Sequence, residues 1–424
     1  MGILVMLFFL GMPVGFSMLF VGIIGFCYLV SPTAGLSLLG SDLFAQFSSY
    51  SYTAFPMFIF AGSLAFIAGM GNRIFDGSHA LFGRLPGSLA ITSTVACAGF
   101  AAICGSSTAT AAAIGRVTLP VMRRYGYDDR LATASVAAAG ALGPLIPPST
   151  IFILYGILSQ QSIGRLFIAG ILPGILLTFL LASTVVILCL LNPALAPPGP
   201  RTTTRQKISG ITGLSEAFIL FASVICGLSF GWFTPTQGGA ALAALILLIG
   251  LTRRQISWQG FIGAVKDSVR LTCMIMVIIG GGVIFGRFLA VSNIPFFLAD
   301  WLAVAPLPPI VIMAIIISVY LLIGCFMDML SAVVLTLPVI LPAVIALGFD
   351  PIWFGVIIVL VGETAVITPP VGINVYVIHA VAKDVPIGTI FSGVWPFVGA
   401  QVLCIALLMI FPQIATFLPD LIKY

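Results

Sequence analysis

Gly140-Ala-Leu-Gly-Pro-Leu-Ile-Pro-Pro-Ser-Thr150 carries a double proline inside an apolar run, and Gly362-Glu-Thr-Ala-Val-Ile-Thr-Pro-Pro-Val-Gly372 repeats it 222 residues later. A proline within a helix removes an N–H donor and crowds the preceding turn, so each stretch reads as a helix with a break. In lipid, the backbone groups freed at such a break must be satisfied by protein, water or ions. A structural kink is the plainer account, but a kink alone need not recur at the same spacing. Working outward, Pro13, Pro120, Gly126, Asp128 and Gly140 match Pro235, Pro342, Gly348, Asp350 and Gly362, and Leu85-Pro86 matches Leu307-Pro308, all at that spacing. Hydrophobic segments interrupted by proline and glycine at corresponding places in two halves point to a secondary transporter and to its binding site.

Composition agrees. Of the 424 residues, 60% are hydrophobic and only 7% charged, with a mean hydropathy of +1.23, far more apolar surface than a soluble domain hides. The chain reads as an all-α polytopic membrane protein. Its eight cysteines lie scattered through apolar segments without metal or redox spacing, and read as buried free thiols. His79 and His379 are too isolated for a zinc site. The net charge of +5 belongs to basic loops on one membrane face and does not suggest nucleic acid.

Stretches long enough to span a bilayer run near 51–70, 131–156, 166–192, 270–289, 351–378 and 390–417, with shorter ones near 14–30, 211–231 and 236–251. Residues 87–122 and 309–345 are too long for one crossing. Arg73 and Arg84 precede the first of these and Arg123, Arg124 and Arg130 follow it, which sets both of its ends on the cytoplasmic side. It therefore reads as a re-entrant hairpin turning at Gly105-Ser106-Ser107. Its partner, broken near Gly324 to Asp328, reads as a hairpin from the opposite side. Arg201, Arg205 and Lys207 place the linker 193–210 in the cytoplasm, as Arg253, Arg254 and Lys266 do for the 252–268 loop and Lys383 for 379–388. The broken helices 131–156 and 351–378 then run in opposite directions. The expected organisation is two inverted repeats, 1–192 and 211–424. Met1 to Leu10 is a short counterpart to the helix expected at 211–231.

Chemistry concentrates at the breaks. Small hydroxyl residues surround Gly105 in the first tip, where they allow close helix packing or replace the water shell of a small cation, while the helix N-terminus after the break presents free N–H groups to an anion. Asp328 aligns with Ser106 and occupies the second tip. It can bind a substrate hydroxyl or amine, contact a cation, or cap the returning helix. The inequality between Ser106 and Asp328 marks the place to look for substrate. Glu363, beside Thr364 and Thr368, reads equally as backbone support or as part of ion coupling. Arg287 reads as snorkelling to headgroups or as meeting an anionic substrate. Asp128 and Asp350 read as turn and helix-start residues. HExxH and paired intramembrane aspartates are both missing, so an intramembrane enzyme is disfavoured. An inverted repeat also fits alternating access better than a channel.

The motifs GSSTAT (105–110), LGPLIPPS (142–149), WFTPTQ (232–237), GCFMD (324–328) and ETAVITPPVGIN (363–374), in this order, resemble the large membrane subunit of tripartite ATP-independent periplasmic (TRAP) transporters, the DctM type. Gln237 stands where that family often has an acidic residue. The resemblance implies an ion-transporter-type elevator fold in the bacterial inner membrane, coupled to sodium (Na+). The cargo would be a small organic acid of dicarboxylate or sugar-acid type. A periplasmic substrate-binding protein would deliver it, and a small four-helix membrane subunit would flank the scaffold. By motif position, one sodium site is expected at Gly105, Ser106, Ser107, Leu145, Pro147 and Ser149. The second is expected at Gly324, Met327, Asp328, Thr364, Thr368 and Pro369, with Glu363 adjoining. Substrate would sit between the tips, near Ser106, Ser107, Ser149, Asp328 and Asn374. A stand-alone sodium- or proton-coupled carboxylate symporter is the alternative.

Overall fold

The structure, a computed structural model, describes residues 2–82, 85–197, 204–295, 297 and 306–421. Arg84 and Arg201 lie outside the described residues, as do the side chains of Arg205 and Lys207. All regular structure among the described residues is helical. Seven of these helices are long and apolar enough to cross a membrane.

The first overlong stretch is two helices, Ser88–Cys104 and Ser107–Arg124. Gly105, at φ +66°, ends the first, and the Ser106 hydroxyl accepts the Ala109 N–H to start the second. The ends of this pair meet, because the Leu89 N–H donates to the Tyr127 hydroxyl at 3.1 Å. The segment is therefore a hairpin. Pro309–Gly324 and Met329–Ala346 form the second pair, joined across their interface by a 2.6 Å hydrogen bond between Thr336 Oγ1 and the Tyr320 hydroxyl. Asp328 caps its returning helix by accepting the Ser331 N–H, the same backbone role that Ser106 has in the first.

Both double-proline stretches interrupt helices. The first broken helix comprises Asp129–Gly140, the single turn Leu142–Leu145 and Thr150–Ser159; the second comprises Pro351–Ala365 and Ile373–Val381. The Pro147-Pro148 and Pro369-Pro370 bonds are both cis. Asp128 caps the Arg130 N–H at 2.8 Å and Asp350 caps the Ile352 N–H at 2.7 Å, so both are helix-start residues, as expected.

Contacts at the ends give these helices a direction. Near the start of the first broken helix, the Asp128 N–H bonds the Leu195 carbonyl and Arg123 pairs with Asp384 at 2.7 Å. At its far end, the Tyr155 hydroxyl donates to the carbonyl of Pro351, where the second broken helix begins. That helix returns toward Asp384, so the two run in opposite senses. Both lie at the centre: Leu131 to Gly140 and Ile352 to Ala365 are buried on every side. The alanines of the first pack it closely, as small side chains do in a membrane, whereas the second fills its place with large apolar side chains such as Trp353 and Phe354.

Several expected boundaries move. The 252–268 loop is mostly helix, since Trp258–Val291 is one 34-residue element started by Ser257, which accepts the Gly260 N–H. Hydropathy detects lipid contact, and helix extends beyond that contact on its polar face. The linker likewise gives way at Thr204 to the helix Thr204–Ser229. The 51–70 crossing is shortened to Ala54–Ile67, flanked by the helices Pro32–Phe47 and Met70–Phe82. The last crossing, Ile387–Ile410, stops before Pro412.

Candidate functional site at the hairpin tips

Each hairpin tip lies against a helix break. A Cβ on Gly105 would run into the Pro148 carbonyl, and one on Gly143 would stand 2.5 Å from the Ser106 carbonyl oxygen. Only glycine permits both approaches. The Thr150 hydroxyl donates to the Gly105 carbonyl at 3.3 Å across the same junction. The carbonyls of Gly105, Ser106 and Pro148 and the hydroxyl of Thr150 thus come close at this junction. An oxygen-only donor set suits a hard cation. No group of three His, Cys, Asp or Glu side chains suited to a metal occurs among the described residues.

At the second tip, the Asp328 carboxylate accepts both the backbone N–H and the hydroxyl of Ser331, at 3.0 and 2.5 Å. Gly324 packs on Ala365, and Gly362 faces Met329. The Thr364 hydroxyl donates to the Leu360 carbonyl one turn back at 2.8 Å, and the Thr368 hydroxyl, in the break, donates to the Thr364 carbonyl at 2.7 Å. Their remaining lone pairs are what they can offer an ion. Glu363 is 1% exposed. Its carboxyl shares the cavity with Ser107, and its Oε2 has no partner among the described residues. The fold thereby brings Glu363 to the first tip as well as the second break.

Both tips and both breaks open on one cavity of about 930 Å³. Gly105, Ser106, Ser107, Asp328 and Glu363 line it. Several expected site residues do not. Ser149 is buried and caps the Phe152 N–H at 3.2 Å. Asn374 is buried against the first broken helix, where its Nδ2 donates to the Ala137 carbonyl at 3.3 Å. The Leu145 carbonyl faces Gly170, away from the tip. Pro147, Gly324, Met327, Thr364, Thr368 and Pro369 also lie off the cavity lining. Arg287, far from this cavity, pairs with Asp42 at 2.8 Å.

Sequence reading missed Thr108, Thr150, Arg116, Asp267 and Arg270, all of which line the cavity. Arg116 carried a signal, being an ionisable residue inside an apolar hairpin. Gly227-Leu-Ser-Phe-Gly231 spells a GxSxG pattern, but it closes the helix Thr204–Ser229 rather than the strand-to-helix elbow that chemistry requires. A second cavity of about 780 Å³, lined by Gln160, Gln161, Thr234 and Gln237, contains none of the tip residues.

Crossing helices with paired breaks around a largely apolar cavity that holds a few polar side chains at the tips define a membrane transporter of the broken-helix class. The profile of the "Tripartite ATP-independent periplasmic transporter, DctM component" family matches residues 1–414, and the chain belongs to that family. It is 32% identical over 419 residues to the sialic acid TRAP transporter large permease protein SiaM of Vibrio cholerae, covering 98% of this chain and 96% of that protein. It is 33% identical over 392 residues to the C4-dicarboxylate large permease protein DctM of Pseudomonas aeruginosa, covering 92% and 89%. Among solved structures, the YdaH transporter of Alcanivorax borkumensis has a similar fold, with a TM-score of 0.64 at 18% identity and 89% of each chain covered. These relatives are permeases rather than enzymes. The chain is accordingly a multi-pass protein of the bacterial inner membrane.

Proposed function

We propose that this chain is the transport subunit of a sodium-coupled TRAP system that imports a small organic anion of sugar-acid or dicarboxylate type. A periplasmic binding protein delivers the cargo, and a small four-helix membrane subunit braces the scaffold. Residues 1–192 and 211–424 act as inverted repeats about the 193–210 linker. The hairpins re-enter the membrane from opposite faces, and together with the broken helices they form a body that slides across the scaffold as an elevator.

One observation carries this reading: both tips and both breaks meet at a single cavity that holds Ser106, Ser107, Asp328 and Glu363. Alternating access needs a central site built from both repeats, and broken helices supply free carbonyls there without a protein-made metal cage. Sodium bound between the first tip and the Pro147-Pro148 break would neutralise gathered carbonyl dipoles and draw the tip onto the break. A closed tip then holds the substrate.

Reconstitution in liposomes with the small subunit and binding protein tests the proposal. Uptake should follow an imposed sodium gradient. Uptake that survives collapse of that gradient and follows a proton gradient would reverse the ion assignment. Ser107→Ala and Asp328→Ala should abolish uptake with membrane insertion intact, and full flux in both would remove the site.

A further inference from the structure

The cavity extends well past the tips. Its walls include Phe66 and Ile67 at the end of one scaffold helix, and Gly260, Gly263, Ala264 and Asp267 in the first turns of Trp258–Val291. These turns adjoin the basic face, where Arg253 and Arg73 both meet Glu216. Arg116 lines this outer part from the hairpin, and Arg270 lines it from the long helix. Neither takes part in any ion pair among the described residues, whereas Arg73, Arg123, Arg165, Arg253 and Arg287 all do. Arg116 lies over the Phe66 ring with its Cζ 5.3 Å from the centroid. At the usual helical rise, its Cα is about 14 Å from that of Ser107. Arg116 thus springs from a point well away from the tip, and Arg270 joins it on the same cavity from the long helix.

We propose that Arg116 and Arg270 form an anion-selecting vestibule, which takes the carboxylate of the cargo as it leaves the tips toward the cytoplasm. This rests on the reading of the cargo as an organic anion. One arginine rides on the hairpin and the other on the long helix, so the pair comes together only where hairpin and helix face one cavity. Guanidinium forks match carboxylate geometry. Asp267, one turn before Arg270 and on the same cavity, offsets their charge, so an anion is drawn in without being trapped. The ring of Phe66 keeps the Arg116 charge oriented without a carboxylate partner.

The test is the charge preference of a reporter cysteine, Ala112→Cys, placed on this cavity one turn from Arg116 in full-length protein carrying Cys104→Ser together with Cys226→Ser and Cys273→Ser, which remove the cavity thiol and the two exposed ones. Reaction rates with an anionic and a cationic methanethiosulfonate are compared in vesicles of neutral phosphatidylcholine, and again with phosphatidylglycerol added. The expected result is a preference for the anionic reagent. It should fall about fivefold or more in the Arg116→Gln/Arg270→Gln double variant and return with Arg116→Lys/Arg270→Lys. The lysine pair also stands in if the glutamine pair fails to fold. An unchanged preference after neutralisation overturns the proposal. So does a preference that vanishes when phosphatidylglycerol is added, which would make a lipid headgroup the occupant. The reagent ratio does not depend on transport. Absence of sialic acid or succinate uptake in the same vesicles therefore counts against the proposed function alone.

Discussion

Gly143→Ala probes the junction of tip and break directly. An added Cβ would lie 2.5 Å from both the carbonyl carbon and the oxygen of Ser106 and 2.7 Å from the Ser107 nitrogen. These are backbone atoms, so no side-chain rotation relieves the overlap. Ordinary contact begins near 3.4 Å, and the tip must back off by about 0.9 Å. An oxygen withdrawn that far from a cation at about 2.4 Å loses roughly a quarter of its Coulomb attraction. Bound-ion distances hold to within about 0.2 Å, so the shift removes the ligand in practice. The sodium concentration for half-maximal uptake should rise about tenfold or more, equivalent to about 1.4 kcal/mol. Sodium-free stability should fall by about 1–3 kcal/mol. The assay is uptake into liposomes over a sodium series at saturating cargo, paired with thermal melting of the detergent-solubilised protein. Gly399→Ala is the control, since its Cβ meets nothing within 4 Å. A folded Gly143→Ala protein with the sodium dependence of the parent would refute the argument that tip-to-break contact builds the ion site.

Glu216→Ala should lower stability by about 1–3 kcal/mol, read by melting, because it removes the carboxylate that Arg73 grips at 2.9 and 3.2 Å and leaves the guanidinium only its bonds to the Ala68 carbonyl and Gln255. The hydrogen bond from Arg123 holds the Asp384 carboxyl below its usual range. The charged form is thus favoured in the fold, and its contribution is present above about pH 4 and lost as pH falls through the lowered value. The melting difference between the parent and Asp384→Asn should stay level from neutral pH down to that limit and close below it; a difference that instead widens with acid would contradict the pairing. Gln401 is fully buried, with both amide atoms unpartnered among the described residues. Gln401→Leu should raise stability by about 1–2 kcal/mol without changing uptake, and a loss of uptake would assign the amide a role in transport.

Most of the architecture was legible along the chain. Pro147-Pro148 and Pro369-Pro370 announced the breaks, because proline acts on its own backbone whatever surrounds it. Gly105-Ser106 and Asp328 announced the tips, and both prove to start the returning helix. The extent of the long helix was not legible. Lys266 and Asp267 look like loop to a hydropathy reading, yet they lie on Trp258–Val291. Ser149 and Thr150 are adjacent hydroxyls of equal promise in sequence. Only helix rotation decides that Thr150 reaches Gly105 while Ser149 turns inward to cap Phe152.

The amino-acid sequence by itself determined a membrane-spanning helical chain, its two matched breaks and the family to which it belongs. These follow from side-chain solvation and local backbone chemistry, which each segment carries alone. Tertiary structure alone decided that the Leu145 carbonyl turns to Gly170, that Glu363 shares a cavity with Ser107 and that Arg116 and Arg270 line it too. Those facts depend on the rotation and depth of helices distant in the chain. Burial against other segments sets these, and no periodicity within one segment records it.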